Sequence, residues 1–131
     1  MVIDTSAILA VLFEETDRER FAGAMLAAPG LCISAPTWLE TAMVMTSRKG
    51  TAGFSAFSKL LDGLCVEIVP CDDGLARIAY EAWTRFGKGR HPAALNMGDC
   101  HSYALARFRS DVLLFKGDDF TQTDVLRFDL A

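Results

Sequence analysis

No CxxC pair occurs anywhere in this chain, and it has only 2 histidines. Its 4 cysteines, Cys32, Cys65, Cys71 and Cys100, show no metal-site spacing. They read as reduced core or near-core residues rather than zinc ligands or disulfide partners. No apolar run is long enough to span a bilayer. No basic region precedes the apolar N-terminus, as it would in a signal peptide. With a strand beginning at residue 2, this points to an uncleaved, cytoplasmic N-terminus. Positive charge is also short: 13 Lys and Arg against 17 Asp and Glu leave a net charge of −4. That balance argues against sequence-independent nucleic-acid binding through bulk charge, though not against a locally basic rim. Repeats and low-complexity tracts are missing too. What the chain has in quantity is apolar residues, 51% of 131, enough for one domain, 1–131, with a substantial core.

Charge is sparse where the chain is most apolar. Asp4 is the only charged residue from Met1 to Phe13, Glu40 the only one from Phe21 to Ser47, and Asp99 the only one from Pro92 to Ala106, with His101 counted neutral. A lone carboxylate in an apolar surrounding is costly. Three of them are most simply explained if they converge on something positive. Asp4 has a blander reading, as the residue that ends a strand and helps cap a helix; the recurrence of the pattern at Glu40 and Asp99 tips the balance.

Hydrophobic spacing places these acids on elements. Met1–Ile3 reads as a short strand, and Ala7–Phe13 as a buried helix capped by Thr5 or Ser6. Thr16 caps a second helix running to about Ala28, ahead of Pro29 and Gly30. Leu31–Ile33 is a strand. A third helix begins near Pro36 and carries Glu40 to about Arg48. Gly50–Gly53 reads as a turn and Phe54–Leu61 as a further helix. Cys65–Val69 is a strand, Asp72 or Asp73 caps a helix to Phe86, and residues 87–92 form a basic, Gly-rich loop. Gly98–Phe108 is helical, Val112–Phe115 a strand, and Val125–Leu130 a final edge strand. Alternating strands and helices predict an α/β domain, a mostly parallel central sheet of four to five strands between helical layers. Ligands then belong beyond the carboxyl ends of the strands. Asp4, Asp99 and the pair Asp118–Asp119 all fall just after a strand or at a helix start, and Glu40 is near enough to reach the same crevice.

Clustered carboxylates stay ionised together only beside a cation. Oxygen donors without His or Cys select Mg²⁺, with Mn²⁺ able to substitute. An ion so held can activate water and stabilise charge at a phosphodiester, so the expected chemistry is metal-dependent hydrolysis.

At this point the motifs resemble a family. DTS after the first strand, a lone Glu in the third helix, N-x-GDC before a late helix and GDDF near the end are similar to the PIN-domain ribonucleases. MVIDTSAILAVL, GKGRHPAALNMGDC and LLFKGDDF together resemble the VapC toxins of bacterial toxin–antitoxin pairs, over nearly the whole chain. The resemblance implies a three-layer α/β/α PIN-like fold. It also implies a Mg²⁺-dependent endoribonuclease that inhibits translation, restrained by a VapB-type antitoxin. Carried over by position, the catalytic acids are Asp4, Glu40, Asp99 and an aspartate of the GDDF loop. Thr5 or Ser6 supports the metal or its water, and Asn96 is a neighbouring donor. A homodimer and a higher toxin–antitoxin assembly follow from the same resemblance. So does a groove, formed partly by the second to fourth helices, that receives an apolar antitoxin helix. An antitoxin arginine would enter the acidic site. Many PIN domains carry an acid two residues before the Asp-Phe pair, where this chain has Gly117. Of the remaining pair, Asp119 is the expected fourth acid and metal ligand. Phe120 would anchor it, while Asp118 lies nearer the flexible glycine, on the rim. Asp124 would brace the loop.

Lys88, Arg90 and His91, with Arg85, read either as a grip on RNA phosphates or as a solvated loop. Trp38, Phe54, Phe57 and Trp83 read as core, or in part as the antitoxin groove. His101 and Tyr103 read as packed or rim residues. A competing reading is a non-enzymatic, receiver-like Mg²⁺-binding module. It would need a second acid at the first strand, which is missing, and a lysine near the metal, for which Lys116 is the candidate.

Overall fold

A computed structural model describes residues 1–130. Among them, four short strands form one parallel sheet: β1 (Val2–Ile3), β2 (Cys32–Ser34), β3 (Glu67–Val69) and β4 (Leu113–Leu114), in the order β3-β2-β1-β4. Val2 stands in register with both Cys32 and Leu113, and Cys32 with Glu67. The strands alternate their side chains between two cores. Val2, Cys32 and Leu113 face one cluster with Leu105, Tyr103 and Phe86. Ile3, Ile33 and Leu114 face the other with Ile8, Met45 and Phe57. The result is the expected three-layer α/β/α arrangement.

The helices are α1 (Thr5–Leu12), α2 (Arg18–Ala27), α3 (Ala35–Gly63), α4 (Asp73–Phe86) and α5 (Met97–Arg109). Several boundaries differ from those read in the sequence, each for a local reason. The cap of α1 is Asp4 rather than Thr5 or Ser6. Its backbone is still extended, and its carboxylate accepts the Ser6 N–H. Thr16 does not cap α2; Asp17 takes the N-cap position without a side-chain cap bond, its carboxylate instead accepting from Lys116 at 2.8 Å. The Gly50–Gly53 turn shrinks to one residue. Only Gly50 (φ 63°, ψ −155°) leaves helical geometry, and the helix resumes at once. β3 starts at Glu67, because Cys65 adopts a positive φ of 51° and lies exposed, so it is not a core cysteine. The last segment, 125–130, makes a single parallel bridge, Arg127 to Leu113, rather than a regular strand. Of the four aromatics read as core only Phe57 is fully buried; Phe54 and Trp83 are each more than a third exposed. Among the described residues no helix is long and apolar enough to cross a membrane.

The Gly50 conformation is one that residues with a Cβ rarely enter, and no neighbouring atom limits the space there. Gly50→Ala is therefore expected to destabilise by about 1–3 kcal/mol from backbone strain alone. Urea denaturation should show this as a lower midpoint with an unchanged m-value.

Candidate active site

The parallel sheet sends the ends of β1 and β4 and the start of α5 to one edge, and the acids gather there. Asp4 follows β1 directly and is buried. Its Oδ2 accepts from the Ser6 N–H at 2.9 Å and the Ser6 hydroxyl at 2.6 Å. Its Oδ1 accepts from the Ser102 hydroxyl at 2.6 Å. Ser6 Oγ in turn accepts the Lys116 N–H at 3.0 Å, which ties the loop after β4 to the same carboxylate. Thr5 turns away and pairs with Thr41 Oγ1 at 3.1 Å.

Asp99 occupies the third position of α5 and forms a capping box with Asn96. The Asn96 side chain accepts the Asp99 N–H at 2.8 Å, and Asp99 Oδ2 accepts the Asn96 N–H at 2.9 Å. Asn96, expected as a donor beside the metal, thus positions Asp99 through its backbone. Burial pushes the Asp99 carboxyl up to about 7, against the Asn96 N–H that favours its ionised form; the charges of Asp4, Asp119 and Glu40 add to the rise. Burial, then Asp4 and Asp118, likewise raise Asp119. Asp4, Asp119 and Glu40 therefore all lie within electrostatic reach of Asp99, and Asp4 within reach of Asp119.

Glu40 reaches the cluster from α3 because α5 has a glycine where they meet. A Cβ on Gly98 would overlap the Glu40 carboxylate. Asp118 and Asp119 are both exposed, while Phe120 is buried and packs edge-on against Phe115 at 4.9 Å. The far end of this loop is held by Asp124, which accepts from the Tyr103 hydroxyl and, at 3.0 Å, from Arg85. Lys116 pairs with Glu15 and, at 2.8 Å, with Asp17. It is thus committed to the α1–α2 connection and does not point at Asp4, as a receiver-like lysine would. His91 is locally engaged: its Nδ1 accepts the Ala93 N–H at 3.1 Å, and its ring meets Phe86 edge-on.

Sequence reasoning missed Ser102, Gly98 and the Tyr103 contact. Ser102 was detectable, since it lies three residues after Asp99 and so shares its helix face. Among the described residues no three of His, Cys, Asp and Glu form a ready-made metal cage. The fit to a metal rests on donor chemistry: like-charged oxygens from separate elements, with no nitrogen or sulfur donor among them. This set suits a hard divalent ion that keeps much of its water.

The PIN domain family model matches residues 1–126. Ribonuclease VapC of Mycolicibacterium smegmatis is 46% identical over 125 residues, covering 95% of this chain and 97% of that protein. This chain belongs to the VapC family of PIN-domain ribonucleases. Among solved structures, that of Mycobacterium tuberculosis VapC20, described as a sarcin-ricin loop cleaving toxin, has a TM-score of 0.79 at 17% identity, covering 97% of each chain. A toxin–antitoxin complex from Klebsiella pneumoniae gives 0.71 at 22%, covering 97% of this chain and 95% of that one. These likenesses to VapC structures agree with the three-layer α/β/α arrangement described above.

The raised Asp99 carboxyl fixes the sign of a pH effect. Between its ordinary value of 3.8 and about 7, the folded protein keeps a proton that the unfolded chain has lost. Stability without metal therefore declines as pH rises through that window, and the full penalty persists above it. Asp99→Asn retains the cap acceptor and removes the charge. In EDTA at pH 8 its melting temperature should exceed the parent's by about 5 °C or more, and the gap should close toward pH 4.

Proposed function

We propose that this VapC-family protein is a Mg²⁺-dependent endoribonuclease whose cleavage of cellular RNA inhibits translation. The observation that carries the reading is the gathering of Asp4, Asp119 and Glu40 around Asp99 at the carboxyl edge of the sheet, where burial first and then these charges raise the Asp99 carboxyl to about 7. Asp4, Asp99 and Asp119 hold Mg²⁺, with Mn²⁺ as a substitute. The bound ion supplies Lewis-acid stabilisation at the phosphodiester and a lowered pKa for its water. Ser6 and Ser102 keep both oxygens of Asp4 aimed. Asn96 does the same for Asp99. Glu40, resting against Gly98, orients the attacking water. Asp118 stays on the rim. Lys88 and Arg90 take substrate phosphates, and His91 shapes their loop.

A nuclease of this kind requires restraint, and the Klebsiella neighbour is described as a toxin–antitoxin complex. A VapB-type antitoxin is the corresponding partner here, with a homodimer and a larger toxin–antitoxin assembly. A hollow of about 350 Å³ between the end of α1 and the bend of α3, lined by Phe13, Glu14, Met45, Lys49 and Gly53 among others, offers a seat for an antitoxin helix that brings an acidic residue for Lys49 beside its apolar face. The protein acts in the cytoplasm, where its RNA substrate is.

Asp4→Asn and Asp119→Asn should each lower Mg²⁺-dependent RNA cleavage by roughly 10²-fold or more, with far-UV circular dichroism unchanged. Asp118→Asn should retain activity within about a factor of three across a Mg²⁺ titration, since of the two neighbouring aspartates only Asp119 adds to the charge felt by Asp99. An inactive Asp118→Asn beside a fully active Asp119→Asn would reverse the assignment.

In a host without a cognate antitoxin, induction of the chain should arrest growth and protein synthesis. Asp4→Asn should not, and co-expression of the antitoxin should restore growth. Unimpaired growth with soluble parent protein would count against the toxin reading.

A further inference from the structure

The basic loop after α4 is not simply solvated: one of its cations is mounted. Trp83, in the last turn of α4, lies against Gly87 so closely that a Cβ there would overlap the indole. The Arg90 guanidinium stands over the Trp83 ring, 4.2 Å from its centroid. Tyr80, one turn earlier, lies 6.2 Å from Trp83 at an interplanar angle of 31° and is 65% exposed. Tyr80 and Trp83 line a cleft of about 480 Å³ with Lys88, Asn96, Met97 and His101. Asn96 is the cap partner of Asp99, and Met97 and His101 also line the adjoining hollow that contains Glu40. The cleft therefore opens beside the acid cluster.

Ion pairing leaves the cations of this loop free, as it does Arg48 and Lys49 over the Phe13 ring on the other side of the fold, but only this loop borders the acid cluster. Arg18, Arg77, Arg85, Arg109 and Lys116 all have acidic partners. Among the described residues Lys88 and Arg90 have none within ion-pair reach. A guanidinium resting on an indole keeps its N–H donors free and presents its outer plane to solvent. Aromatic rings beside unpaired cations make a surface on which bases stack while phosphates meet charge. An apolar protein face seated here would desolvate both cations without a partner.

The geometry points to a subsite for single-stranded RNA in the cleft between α4 and α5, with Trp83 and Tyr80 as its aromatic surfaces, Lys88 as the cation that lines it and Arg90, set over Trp83, at its margin. The subsite deepens the ribonuclease reading and rests on it. It takes the nucleotides flanking the scissile phosphate. The unpaired strand is required because paired bases cannot present their faces.

The test measures binding apart from cleavage. The probe is a short fluorescein-labelled single-stranded RNA, titrated in EDTA with the Asp4→Asn protein and followed by fluorescence anisotropy. Adding Arg90→Ala or Trp83→Ala should weaken Kd about five- to 150-fold, the range of one lost base stack. Trp83→Phe should recover most of the loss, and a duplex of the same sequence should bind poorly to every variant. With Asp4 intact, Arg90→Ala should raise KM with little change in kcat. Arg90 is exposed, so its variant remains informative if Trp83→Ala folds poorly. Unchanged Kd and KM in Arg90→Ala overturn the subsite while leaving the nuclease reading intact. A change of oligomeric state by light scattering, with RNA affinity unaltered, overturns it in favour of an interface between copies. A parent that neither binds nor cleaves RNA defeats the nuclease reading itself.

Discussion

Mutual repulsion among buried carboxylates is the constraint to which the rest of the structure answers. Parallel pairing sends every strand's carboxyl end to one edge, and the acids that follow those ends arrive there together. The fold does not neutralise them with its own cations, although it has the means: Lys116 sits just after β4 yet is tied to Glu15 and Asp17. Instead it supplies neutral donors, two hydroxyls and backbone N–H groups. Neutral donors hold a carboxylate's direction while leaving its charge for a ligand, whereas a resident lysine would cancel both the repulsion and the affinity for a metal.

The same groups do structural and chemical duty. Asp4 caps α1, and Asp99 closes the capping box of α5. Each acid is thereby oriented by the helix it starts, and an extended N-cap backbone is what carries the chain from a strand or loop into that helix. Helix starts favour negative charge, which offsets part of the cost of gathering carboxylates.

Much of this is legible in the amino-acid order alone. Solitary acids in apolar segments mark Asp4, Glu40 and Asp99, because burial makes an unexplained charge conspicuous. Alternation of strands and helices points to the layers, and Phe120 marks the buried anchor of the loop that carries Asp118 and Asp119. What stays hidden depends on contacts between distant segments. Nothing local tells that Ser102 meets Asp4, 98 positions away, or that Asp17 serves Lys116 rather than its own helix. The single-residue break at Gly50 reads as a longer turn because Gly50 and Gly53 look alike in sequence. Only Gly50 takes a positive φ; Gly53 stays helical, its Cα against the Met45 carbonyl and the Lys49 side chain. The last segment looks like a strand because its apolar content is right, but one bridge is all that its register with Leu113 permits.

Gly98 carries a consequence for how such sequences can drift. The gap between α3 and α5 at the acidic edge is gauged by a carboxylate lying directly on a backbone, with no side chain between them. Length at position 40 and bulk at position 98 are thus two readings of one dimension. A chain with alanine at position 98 can keep the same helix spacing only if the Glu40 carboxylate swings away from the cluster or a shorter acid stands at position 40. An aspartate at position 40 would in turn need that alanine to fill the space it vacates. The two positions should vary as a pair among relatives, in opposite directions of size, while their neighbours vary freely.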